Sequence, residues 1–170
     1  MNALDVLTAL RETLEDEGLV RRASTPGPQS APADGDPANP PPCHVEPVAP
    51  PAPGEREAPE DDKTLVVTLR SSPGFGESNF DSYRRRVVVD ILYRSKGTGA
   101  LKRAHALDAA IADLVGSGRA DYGFGWTLGT THPVFVLSSQ RYTDIGPVSR
   151  DAGQGSTELA KYIFEVRAAD

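Results

Sequence analysis

The stretch from 23 to 63 sets the strongest limit on what this chain can fold into. It holds 12 of the 15 prolines in the 170-residue sequence. Proline has no amide N–H and fixes φ, so helix interiors and central strands do not tolerate it at that density. The stretch also has almost no Leu, Ile, Phe, Tyr or Trp, too little apolar surface to offset the entropy of ordering. It reads as an insertion or linker. The foldable sequence is then a leading helix within residues 1–22 and a core of 107 residues, 64–170.

Charge follows the same partition. The chain is −6 overall, with residues 23–63 at −6, residues 1–22 at −2 and residues 64–170 at +2. The acidic total argues against nucleic-acid binding through the whole surface, yet the core is slightly basic. Arginine supplies 14 of the 18 basic residues, which makes it this chain's default cation and a weak sign of function by itself. The single cysteine, Cys43, excludes an intramolecular disulfide framework and a four-thiolate zinc site. No run approaches the ~18 apolar residues of a membrane span. The opening MNALDVLTALRE lacks the basic flank of a signal peptide. The expectation is a soluble protein made in the cytosol.

Periodicity places the elements. Leu4, Leu7, Leu10 and Leu14 recur at three- and four-residue steps and predict an amphipathic helix over 3–17, with Asn2 as N-cap and Gly18 as its stop. Arg11, Glu12, Glu15 and Asp16 fall largely opposite the leucines. Alternation predicts strands at 64–70, 84–94, 133–142 and 156–168, with Val87, Val89, Ile91 and Tyr93 on one face of the second. The stretch from Thr98 to Gly116 predicts a second helix, apolar on one side and carrying Lys102, Arg103, Asp108 and Asp113 on the other. Loops are expected at 71–82 and 144–155, and an extended Gly/aromatic segment at 119–131 places Tyr122, Phe124 and Trp126 at alternate positions. The order helix, strand, strand, helix, strand, strand implies an α+β fold, an antiparallel four-stranded sheet with its helices on one face.

No arrangement of residues carries catalytic chemistry with conviction. The phosphate-loop, GxSxG and HExxH patterns are absent. Cys43 and His44 are adjacent, but neighbours in an extended chain point opposite ways, whereas a nucleophile and its base must meet. His105 and His132 are isolated from other ligands, and GFGWTLG does not join a strand to a helix as a nucleotide loop does. The expectation is no enzyme, no cofactor and no metal. The run Arg84, Arg85, Arg86 after Tyr83 is the strongest charge feature. It has three readings: phosphate or nucleic-acid binding, an acidic protein partner, or a solvated strand end. The acidic run Glu55 to Asp62 is a natural partner for it in a neighbouring copy. Candidate contacts between subunits are Leu4, Leu7, Leu14, Arg84, Arg85, Arg86 and Trp126.

The leading helix, the PEDD segment followed by TLVVTLRSSPG, the strand ending in Tyr93 and Arg94, the ALKRAHALDAAIADLVG helix and the closing YIFEVRA strand together resemble a family. It is the tail terminators of long-tailed bacteriophages, small neck proteins also described as minor capsid or tail completion proteins. The resemblance covers residues 1–22 and about 59–170 and rests on element order and local texture. It implies a structural virion protein made in the host cytoplasm, with no catalytic residues. That protein forms a hexameric ring at the head-tail junction, which caps the tail tube, stops its polymerisation and joins it to the head connector. Viral DNA would pass through the lumen without specific recognition. Another neck component, a stopper or an adaptor, fits the same order, and a small nucleic-acid-binding module using Arg84 to Arg86 is the alternative from a different class. The Pro-rich insertion departs from the plain family pattern. Its length would let the first helix dock on a neighbouring subunit.

Overall fold

The computed structural model describes residues 2–22, 40–46, 65–72, 78–79, 84–115, 125–151 and 155–168. It opens with helix α1 (Ala3–Asp16) and continues through β1 (Arg21–Arg22), β2 (Pro42–Val45), β3 (Leu65–Ser71), β4 (Ser78–Asn79) and β5 (Arg85–Ser95). Helix α2 (Gly97–Val115) follows, then β6 (Trp126–Leu128), β7 (Val134–Asp151) and β8 (Gly155–Ala168). The strands form one sheet in the order β1-β2-β3-β5-β8-β7-β6, with β4 on the end of β5. β1, β2 and β3 run parallel, and the other pairs are antiparallel.

This corrects the expected architecture. The molecule is mostly strand, a mixed sheet curled into a half-barrel, and not an antiparallel four-stranded sheet with helices on one face. Two local reasons account for the difference. Averaged composition hid a short strand in the middle of the Pro-rich tract. Pro42 occupies its first position, where the missing N–H is tolerated, and Cys43 beside it is buried against the core. The second reason lies around Gly146 and Pro147, which read as loop chemistry. The strand continues through both, and four register irregularities between Val136 and Ser149 absorb the misfit. Bulges of this kind bend and twist a strand, as a curled sheet requires.

The helices form where the periodicity places them. Asn2 caps α1 reciprocally with Asp5: the Asp5 amide donates to Asn2 Oδ1 at 3.0 Å and the Asn2 amide to Asp5 Oδ2 at 2.6 Å. Val6, Leu7, Leu10 and Leu14 bury against Val67, Leu69, Ile91, Val136 and Phe164 in one core. Helix α1 touches β1, β2 and β3 near one margin of the sheet and β6 and β7 near the other. It therefore fills the mouth of the half-barrel within its own chain. The expectation of an interface role for Leu7 and Leu14 changes accordingly, because both are core residues, 1% and 0% exposed. Burial of such a side chain contributes roughly 1.5–3 kcal/mol, which a helix docked only on a neighbour would lack in the free subunit.

Candidate functional site

Alternation along β3, β5 and β8 gives the sheet two chemically different faces. The concave face carries Val67, Leu69, Val89, Ile91, Tyr162 and Phe164 against the helices. The convex face carries a ladder of charge. At its centre Asp90 lies between Arg70 and Lys161, its strand partners on either side. Arg70 Nε donates to Asp90 Oδ2 at 3.2 Å, and Lys161 Nζ donates to Asp90 Oδ1 at 2.5 Å and to Ser72 Oγ at 3.1 Å. Toward the start of β5, Arg86 donates to Glu165 Oε1 at 3.2 Å, and the Ser138 hydroxyl donates to the other oxygen at 3.1 Å. Beyond it, Arg167 stacks over the Phe135 ring, 4.6 Å from its centroid.

The sequence-derived contact residues scatter over this framework. Arg84 is exposed and Arg85 half-buried at the start of β5, and Arg86 is tied to Glu165. Arg85 faces the concave side, so the three arginines do not act as one patch; Arg84 and Arg86 do share the convex side. Trp126 is half-buried in β6 opposite Val136 and packs on the core. Leu4, about half exposed, is the one leucine of the helix stripe that remains on the surface. Tyr83, Tyr122 and Phe124, like the acidic run 55–62, lie outside the described residues.

Two carboxylates that the periodicity places on the polar helix faces, Glu12 and Asp108, are buried and pin the fold. Asp108 accepts the Tyr93 hydroxyl at 2.8 Å and the Tyr162 hydroxyl at 3.1 Å on Oδ1, and the Arg141 guanidinium on Oδ2. Burial and the neighbouring Asp108 carboxylate push the Tyr93 phenol well above its ordinary range, so it stays a donor. Glu12 on α1 caps the turn before β7. Its Oε2 accepts the amides of Thr130, Thr131 and His132 at 3.0–3.2 Å, while Oε1 meets His132 Nδ1 at 3.0 Å. Burial raises the Glu12 carboxyl, but these hydrogen bonds outweigh it and hold the group below the ordinary glutamate value. Thr13, next on α1, accepts the Gly129 amide at 2.9 Å. Gly129 has φ +78°, and a Cβ there would sit 2.8 Å from the His132 carbonyl and 3.0 Å from Ala9. The turn is thus shaped to reach the helix.

A signal for Asp108 was present in the sequence. It falls at i+4 from Ala104 and i−3 from Ile111, inside the apolar stripe of α2. Glu12 gave less warning, because its partners are backbone amides more than a hundred residues away. Cys43 and His44 do not form a dyad. The thiol is buried, its Sγ lies 3.8 Å from the His44 carbonyl, and burial pushes its pKa up to about 12. A group held in that state is a poor nucleophile at neutral pH.

On the convex face Val66, Val88, Asp90 and Leu92 are buried, and charge is most exposed toward the start of β5, at Arg84 and the Arg86–Glu165 pair. No α-helix among the described residues is long and apolar enough to cross a membrane. No protein-family model matches this chain, and a search of curated proteins finds no match either.

Proposed function

We propose that this chain is a structural assembly protein of a virion, a tail terminator. Six copies form a ring at the head-tail junction that caps the tail tube, stops its growth and meets the head connector. DNA passes through the lumen without being read. This reading keeps the resemblance of local sequence texture and drops both the four-stranded sheet and the six-element order, which two helices and eight strands replace. The observation that carries it is how the described polar groups are used: Glu12 and Asp108 pin secondary structure together, while charge accumulates on the convex face of a rigid sheet. Such a surface binds by burial and complementarity. Light scattering on the purified chain, with class averages from negative stain, should give a closed ring. A strict monomer over the whole accessible concentration range would reject it.

The neighbouring readings, stopper and adaptor, separate by first contact. A terminator captures the tube protein, whereas the others capture the portal side. A nucleic-acid-binding module draws support from Arg84 and Arg86 sharing one face with Arg167. It requires salt-sensitive binding to a short duplex that weakens when Arg84, Arg85 and Arg86 become alanine.

A further inference from the structure

Five carboxylates are buried among the described residues: Glu12, Glu46, Asp90, Asp108 and Glu158. All but Glu158 have partners. Glu12 accepts three amides and meets His132, Asp90 pairs with Arg70 and Lys161, Asp108 accepts two tyrosine hydroxyls and Arg141, and Glu46 is also engaged. Glu158 is 2% exposed, its Oε1 is buried without a hydrogen-bond partner, and no cation among the described residues pairs with it. An ionised carboxylate withdrawn from water is strongly disfavoured unless a positive charge or several donors meet it.

Strand register shows what surrounds it. Glu158 continues the inward alternation of Ala160, Tyr162, Phe164 and Val166 along β8, so it faces the concave side. Its strand partners are Tyr93 on β5 and Pro147 on β7. Neither supplies a donor, because the Tyr93 hydroxyl is committed to Asp108 and proline has no N–H. The next inward row is polar. Ser95 and Ser156 are strand partners there, with Oγ atoms 3.0 Å apart and Ser95 fully buried. Gly155, with φ +91°, presses the start of β8 onto the end of β5, where a Cβ would collide with the Ser95 carbonyl. That contact fixes Ser156 against Ser95. The two rows lie about 7 Å apart at strand rise. Hard cations sit about 2.0–2.6 Å from each oxygen ligand, so one ion spans these rows from the glutamate carboxylate to the two hydroxyls.

We propose that Glu158, Ser95 and Ser156 bind a monovalent alkali cation at the end of the β5–β8 ladder. The ligand set selects the class. All three side chains offer oxygen, which suits hard cations. One carboxylate beside two neutral hydroxyls balances a single positive charge, so the occupied site is neutral. The described residues contain no group of three or more His, Cys, Asp or Glu side chains of the kind that holds a transition metal or a divalent ion. A water molecule there would leave the carboxylate charge uncompensated. The site lies within one chain and does not depend on self-association. Its ion ties β8 to the end of β5, next to the Gly97 start of α2.

Ion-dependent stability tests the site. The full chain is melted in lithium, sodium, potassium and tetramethylammonium chlorides at matched ionic strength. The melting temperature should be higher in at least one alkali salt than in the organic one, and should rise with the logarithm of that ion's concentration. Equal melting in every salt overturns the proposal, and this comparison needs only the wild-type chain. Glu158→Gln keeps the side-chain shape and should abolish the ion dependence, whereas Ser156→Ala should weaken the apparent ion affinity about tenfold or more. An ion dependence that survives Glu158→Gln overturns the site, as does a Glu158→Gln chain that gains stability equally in every salt. Stabilisation by magnesium or calcium alone, lost in Glu158→Gln, overturns the monovalent assignment. Arg150, the strand partner of Ser156 on β7, is the rival counter-charge. With the ion in place, Arg150→Ala leaves the ion dependence intact. If Arg150→Ala instead lowers stability alike in every salt and Glu158→Gln adds nothing further to it, the arginine is the partner and the ion is overturned.

Discussion

The two faces of one strand, β5, differ in what their charges do. On the concave side Tyr93 donates to Asp108, a carboxylate delivered from α2 and shared with Tyr162 and Arg141. On the convex side Asp90 and Arg86 pair with residues of adjacent strands, and the side chains of Arg86 and Glu165 are 43% and 35% exposed. A buried carboxylate with three partners joins layers, whereas a half-exposed pair orders a surface. The difference teaches that burial, not the face alone, sets what a charge contributes: Asp108 and Asp90 are closed off and carry stability, whereas the Arg86–Glu165 pair is half-exposed and carries little. Substitutions should rank accordingly.

The largest effect belongs to α1. Leu7→Glu places an unpaired carboxylate in the closed core, at a cost of several kcal/mol. The whole domain, not a detached helix, should lose its melting transition. A variant whose sheet melts as before, followed by near-ultraviolet circular dichroism, would show that α1 is separable from the half-barrel. The next effect belongs to Asp108. Asp108→Ala strands two tyrosine hydroxyls and a guanidinium, a loss of about 3–5 kcal/mol by analogy with broken buried pairs. Adding Tyr93→Phe and Tyr162→Phe should recover part of it, measured by urea denaturation. An additive triple variant would mean that the three groups do not form one network.

Glu12 ranks third and carries the pH dependence. Its carboxyl is held below the ordinary value of 4.5, so the stability it contributes is present above that pH and is lost as pH falls through the lower folded value. Glu12→Gln keeps the shape but removes the charge received by three amides and His132, at about 1–3 kcal/mol near neutral pH. The variant should be flatter than the wild type in thermal stability below pH 4.5. An identical acid profile in both would remove Glu12 as the cap of this turn.

These residues also show what a sequence can and cannot disclose. Both helices, the alternation of β5 and the inward set Tyr162, Phe164 and Val166 are legible because each depends on a period within one segment. The half-barrel is not, because it depends on β2 pairing with β3 across the Pro-rich tract and on irregularities that let β7 pass Gly146 and Pro147. Composition averages over such features. Arg84 and Arg86 were visible as charge, but their company with Arg167 required the pairing of β5 with β8.

The smallest expected effect lies on the convex face and completes the contrast. Arg86 and Glu165 are both partly exposed, so a double-mutant cycle through Arg86→Ala and Glu165→Ala should give a coupling below about 1 kcal/mol, reduced further by salt. The pair formed by Lys161 and Asp90 has an almost fully buried carboxylate, and Lys161→Ala should cost more, about 1–3 kcal/mol, because Asp90 keeps only Arg70. The convex face thus has its own gradient, anchored at Asp90 and loosening toward the start of β5. If the Arg86 pair proved as strong as the Asp90 pair, that end of the sheet would be a stability element. The division between buried and half-exposed charges would then fail at that end of the sheet.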